Sequence, residues 1–175
     1  MQVNTLIATK IYNKVAQLLD LKNNQVVLDC FSGIGISSLI FAKQGAYVES
    51  IEIEKNACFD AKMLAKNNNL SEKIKINQGD CNVLLPEISQ KYNNAVMFTD
   101  PPRSGLGPNF INTVLNSNIK KIAYLSCNPI TLKSDLEKLT NSSKFIVSSI
   151  TPFDMFPHTK HVETLAVLTY KNAKE

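Results

Sequence analysis

The stretch VVLDCFSGIG, residues 26–35, decides how the rest of the chain reads. A short apolar run closes on an acid, Asp29, and passes into the glycine turn FSGIG. Gly33 and Gly35 let the backbone bend sharply and leave no Cβ in the way of a ligand, as at a strand that turns into a helix. Working forward, a helix is predicted over 36–43 and a strand over 46–53, AYVESIEI. An amphipathic helix fits 54–68, with Ala57, Ala61, Leu64 and Ala65 facing inward. KIKIN, 73–77, alternates as a half-buried strand does. No element is read between Asn77 and Asn94. Working backward, Leu6, Ile7, Ile11, Val15, Leu18 and Leu19 fall near one helical face over 5–20.

The second half keeps the rhythm. NAVMFTD, 94–100, reads as a strand stopped by Pro101 and Pro102, which cannot donate to a ladder. A helix is expected over 109–116, a strand at KIAYLSC, 121–127, and a helix over 131–139. FIVSSITPF, 145–153, and HVETLAVLTY, 161–170, are strands joined by too few residues for a parallel crossover, so this pair should be antiparallel. The expected fold is α/β: a doubly wound, mostly parallel seven-stranded sheet with an antiparallel C-terminal hairpin. It forms one domain over residues 1–175, without repeats, low-complexity tracts or linkers.

Composition excludes several classes. Of the 175 residues 44% are hydrophobic and 19% charged, which is ordinary for a globular chain. No apolar run is long enough to span a bilayer and no secretion signal opens the chain, so a cytoplasmic protein is expected. The four cysteines, Cys30, Cys58, Cys81 and Cys127, contain no CxxC pair, which argues against a zinc site or a disulfide framework. His158 and His161 lack further ligands nearby, and no metal is expected. A net charge of +4 permits a polyanionic partner without requiring one. Arg103 is the sole arginine.

In an open α/β sheet ligands bind beyond the carboxyl ends of the strands. Asp29 with FSGIG, then Glu52, Asp80 and DPPR (100–103) all fall at such ends. A nicotinamide site is disfavoured because Ser38 stands where GxGxxG needs its third glycine. The acid before the turn and the later DPP instead resemble class I methyltransferases, which bind S-adenosylmethionine.

LDCFSGIG, DPPR, SCNP (126–129) and FDMFPHTKHVET (153–164) come in one order and together resemble the RNA 5-methyluridine methyltransferases that act on tRNA and rRNA. The resemblance runs from QVN at residue 2 to the last strand. It implies a methyl group carried from S-adenosylmethionine to carbon 5 of a uridine. Carbon 5 is too weak a nucleophile to attack a sulfonium unaided, so a thiolate must first add to carbon 6 and a base must later remove the carbon 5 proton. The resemblance makes Cys127 the nucleophile and Glu163 the base. It gives the cofactor Gln2, Phe31, Glu52, Asp80 and Asp100, beside the turn glycines Gly33 and Gly35. Asp100 is also expected at the uracil edge. His158 is expected to shape the base's loop or touch RNA, and Arg103 either binds a phosphate or braces its own loop. Ile36 stands where the family can place a polar cofactor contact.

Members of the family usually carry RNA-binding domains ahead of the catalytic one, whereas this sequence opens at QVN on the cofactor-binding stretch, so it is expected to be either a fragment or a product that has lost its RNA-binding part. A separate RNA-binding domain or subunit is therefore a candidate partner, and a cofactor-binding remnant without autonomous RNA methylation is an alternative. An N-methyltransferase acting on an exocyclic amine is another. Its (D/N)PP(Y/F) loop resembles DPPR, with Arg103 in place of the aromatic residue.

Overall fold

The computed structural model describes residues 5–154 and 162–171, with side chains from Ala8 onward. Helix α1 (Thr5–Leu18) leads into β1 (Val26–Cys30), α2 (Ile36–Lys43), β2 (Tyr47–Glu52), α3 (Lys55–Asn67) and β3 (Ile74–Gln78). Then come α4 (Cys81–Gln90), β4 (Val96–Thr99), α5 (Gly107–Asn116), β5 (Lys121–Ser126), α6 (Pro129–Asn141), β6 (Phe145–Phe153) and β7 (Glu163–Tyr170). The strands form one seven-stranded sheet in the order β3-β2-β1-β4-β5-β7-β6. The first five strands are parallel, and β7 runs antiparallel to both β5 and β6. The expected sheet and hairpin are both present.

Alternation along the strands divides the core in two. Val27, Val48, Phe98, Ala123, Leu125, Leu165 and Val167 join one buried cluster with Ile11 and Val15 of α1 and Phe41 of α2. Leu28, Ile51, Met97, Ile122, Tyr124, Ala166 and Leu168 join the other, with Leu85 of α4, Phe110 of α5 and Leu132 of α6. Strands buried on both faces read as nearly continuous apolar runs. That is why β1, β4 and β5 stand out so clearly in the sequence.

Helix α4 has no counterpart in the sequence reading. Pro86 lies inside it, where a proline removes an intrahelical donor and normally argues against a helix. Asp80 starts the helix by accepting from the Asn82 amide, and Cys81, Leu85 and Ile88 form its buried face. Two smaller differences matter more for the site. Helix α6 begins at Pro129, not 131, capped by Asn128. Strands β4 and β5 end at Thr99 and Ser126, so Asp100 and Cys127 are the first residues past their strands.

Candidate functional site

Beyond the ends of β1, β2 and β4 lies a cavity of about 590 Å³, whose lining includes Phe31, Gly33, Glu52 and Asp100. Gly35 is left-handed (φ 80°), and a Cβ there would come within 3.0 Å of the Ala61 side chain. The turn can therefore press directly onto α3. Phe31 also has a positive φ, 61°, which is costly for a non-glycine residue. It is held there by stacking on Phe110, with ring centroids 5.7 Å apart.

Glu52 is the best-ordered acid of the cavity wall. The Gly33 amide donates to its Oε2 and the Glu54 amide to its Oε1, both at 2.8 Å. Its carboxylate is thus aimed before any ligand arrives, with lone pairs left over for hydroxyl donors. Glu54, Asp60 and Asp100 add three more acids to the lining, and no lysine or arginine is among the described lining residues.

Asp29 stands behind this wall, wholly buried. Ser37 and Ser38 donate to its Oδ2 at 2.7 and 2.5 Å, while Oδ1 has no hydrogen-bond partner among the described residues. Burial is the main cause that pushes its carboxyl up to about 6, and the charge of Glu52 adds to it. Asp100 is pushed up to about 7, again by burial first, then by Glu163 and Asp29. By alternation Glu163 shares a face with Leu165 and Val167, which belong to one core cluster with Val27 and Phe98, so the start of β7 faces the cavity side of the sheet.

A second polar cluster lies past β4 and β5. The antiparallel register between β5 and β7 runs from Lys121–Thr169 to Ser126–Thr164. The ladder stops there; one further step would bring Cys127, the residue just past β5, opposite Glu163, and cross-strand neighbours in an antiparallel pair share a face. Glu163 also pairs with Phe153 of β6. Cys127 is half-buried, whereas Cys30, Cys58 and Cys81 are buried, as expected of core thiols. Asn128 caps α6 through the Ile130 amide, and its Nδ2 donates to the Arg103 carbonyl at 3.0 Å. The Thr131 hydroxyl donates to the same carbonyl. Asp135, buried in α6, accepts from the Leu106 amide at 2.8 Å and from the Tyr124 hydroxyl at 2.9 Å. The DPPR loop is therefore tied to the helix that follows Cys127.

These tethers went unread in the sequence. Asn128 had a signal, a cap residue before a proline. Asp135 had none, since an acid at that place in an amphipathic helix normally faces water. Ser37 and Ser38 likewise have no signal in the sequence as neighbours of Asp29, whereas the half-buried Ile36, singled out as standing at a family cofactor-contact position, does line the cavity. Asp80 lies outside the cavity lining, exposed, as the cap of α4. Gly35 shapes the turn but does not line the cavity. The Arg103 side chain is exposed. Gln2, His158 and His161 lie outside the described residues. Among the described residues no cluster of histidine, cysteine and acidic side chains could hold a metal, and no helix is long and apolar enough to cross a membrane.

The fold is that of the class I methyltransferases. One structure sharing it is TrmN from Thermus thermophilus, with 18% identity and a TM-score of 0.73 over 93% of this chain and 49% of that one. The sequence profile of the family described as tRNA (Uracil-5-)-methyltransferase matches residues 1–171, and the chain belongs to that family. An uncharacterized RNA methyltransferase of Lactobacillus johnsonii is 39% identical over 168 residues, covering 95% of this chain and 37% of that protein. The Pyrococcus abyssi tRNA (uracil-54, C5)-methyltransferase, solved in complex with S-adenosyl-L-homocysteine, superposes with a TM-score of 0.83 at 28% identity. That match covers 97% of this chain and 40% of the archaeal one. The chain thus spans 37% of the length of the curated relatives it matches.

Proposed function

We propose that this chain carries the catalytic site of an S-adenosylmethionine-dependent methyltransferase acting on carbon 5 of a uridine in tRNA or rRNA. The observation that carries this reading is the β5–β7 register, whose continuation pairs a half-buried thiol, Cys127, with a carboxylate, Glu163. Covalent activation of a pyrimidine needs those two groups on one side of one ring.

The cavity suits the cofactor by charge and by size. A nucleoside-sized ligand fits a volume of this order, and a wall of acids without basic residues favours a cation. Glu52, aimed by two backbone amides, would accept from ribose hydroxyls, with Phe31 and Gly33 beside it and Asp80 at the adjoining strand end. When bound, S-adenosylmethionine supplies an electrophilic methyl group.

The chain's own groups do the rest. The Cys127 thiolate adds to carbon 6 of the uracil, breaking the 5,6 double bond and raising electron density at carbon 5. Asp100, beside the cavity, would accept from the uracil N3–H and hold the ring in register with the thiol. Once carbon 5 is alkylated, Glu163 takes its proton, the double bond re-forms and the thiolate leaves. Asn128, Thr131 and Asp135 keep the DPPR loop at a constant distance from Cys127 through the hydrogen bonds described above. Arg103, exposed on that loop, would meet a phosphate of the RNA or brace the loop, and His158 would belong to the substrate side.

Incubation with 5-fluorouridine RNA and S-adenosylmethionine tests this directly, since fluorine cannot be removed as a proton. A protein–RNA adduct that survives denaturing electrophoresis is expected for the native chain and not for Cys127→Ala. Equal behaviour of the two would remove Cys127 from the mechanism. Nucleoside analysis showing an N-methylated purine in place of 5-methyluridine would replace the reaction itself.

A further inference from the structure

Asp29 and Asp100 sit on neighbouring strands and on one face of the sheet. Asp29 pairs with Phe98, two residues before Asp100, and Phe98 lies in the same core cluster as Val27. Alternation therefore turns both carboxyls toward the cavity side. The charged or titratable groups that face the pair are Glu52 from β2 and Glu163 from β7. Glu54 and Asp60 from the α3 side and the Tyr12 phenol from α1 line the same cavity. Helix α2 contributes the Ser37 and Ser38 hydroxyls, both on Asp29 Oδ2, and the Ser38 backbone amide, all of which favour the ionised form. Oδ1 of Asp29 is left buried without a donor. No cation among the described lining residues balances this set. Burial and like charge both disfavour ionising the two carboxyls together.

We propose that in the ligand-free protein the Asp29–Asp100 pair holds a proton, which it releases to solvent when a sulfonium-bearing ligand enters. The pair thereby selects the charged methyl donor over its neutral thioether product. This inference rests on the cofactor reading given above. The bond that breaks is the O–H of the carboxyl that carries the proton, and the proton passes to buffer. The negative charge left behind faces the sulfonium, and no bond to the ligand forms. S-adenosylhomocysteine carries no sulfonium charge and leaves the proton in place. Methyl transfer therefore returns the cavity to the state in which it prefers to be protonated, which favours exchange of product for fresh donor. The raised values of the two carboxyls, near 6 and 7, put this exchange close to neutral pH.

Calorimetry on the whole chain tests it without any methyl transfer. S-adenosylmethionine and S-adenosylhomocysteine are titrated separately at pH 6.5 in phosphate and in imidazole, whose ionisation heats differ. The two ligands share the same amino-acid end, so its titration cancels in the comparison. A buffer-dependent heat reporting proton release is expected for S-adenosylmethionine and almost none for S-adenosylhomocysteine. Between pH 5.5 and 7.0 the affinity ratio of the first to the second should rise about tenfold. Asp29→Asn and Asp100→Asn should each abolish the buffer dependence, with circular dichroism to verify folding. If neither variant folds, the native buffer comparison decides alone. Binding with equal release for both ligands, or with none, overturns the proton exchange and leaves the cofactor reading standing. Binding of neither ligand overturns both.

Discussion

The two polar clusters at the top of the sheet treat a buried aspartate in opposite ways. Asp135, under the DPPR loop, receives the Leu106 amide and the Tyr124 hydroxyl and has Lys138 at 3.9 Å. Asp29, behind the cavity, has two serine donors on one oxygen and nothing on the other. The first is a closed network, and such networks set geometry. The second leaves negative charge unanswered next to a cavity, which is costly in the absence of a ligand and useful once a cation arrives. Within one sheet, the half that holds chemistry in place is satisfied and the half that holds a ligand is not.

The strongest test of the satisfied half concerns Glu163. Glu163→Gln should lower turnover by about 10²–10⁴-fold, the usual contribution of a general base. In the proposed mechanism the base acts after methyl transfer, so this variant should accumulate the Cys127–RNA adduct on a denaturing gel, whereas loss of adduct would move Glu163 to an earlier step.

The unsatisfied half should reveal itself in stability against pH. Asp29 binds its proton more tightly in the folded state, rising from 3.8 to about 6. Its contribution is therefore fully present below 3.8 and is lost as pH climbs through 6. Two pKa units correspond to roughly 3 kcal/mol. Urea melts from pH 4 to 7 should show Asp29→Asn losing that downward slope relative to the native chain. Parallel curves would mean that Asp29 is better solvated than its burial indicates.

Removing the closed network should cost stability but spare the cavity. Asp135→Ala strands one amide and one phenol, at about 1–3 kcal/mol, with affinity for S-adenosylhomocysteine within twofold of the native chain by calorimetry. A large loss of affinity would join the two clusters into one unit. The smallest effect is expected at Asp80. Asp80→Ala should cost about 1 kcal/mol in a denaturant melt through the lost cap of α4. An accompanying drop in cofactor affinity would extend the ligand site beyond the cavity wall to the end of β3.

Much of this was legible in the chain itself. Strands buried on both faces leave unbroken apolar runs, so β1, β4 and β5 and their parallel order could be read directly, as could the antiparallel tail from its short connection. Three of the four strand-end signals, FSGIG, Glu52 and DPPR, contribute residues to the cavity lining, whereas Asp80 lies outside it; glycine and proline could be read because they act through the local backbone alone. Helix α4 was hidden, since Pro86 obscures locally what burial of Leu85 and Ile88 secures globally. The opposition of Cys127 and Glu163, 36 positions apart in the chain, depends on a register that only strand pairing can set. The contrast between Asp29 and Asp135 is likewise tertiary. Asp29 stands among apolar neighbours in sequence and Asp135 among polar ones, Ser134, Glu137 and Lys138, yet it is packing that decides which donors reach each acid.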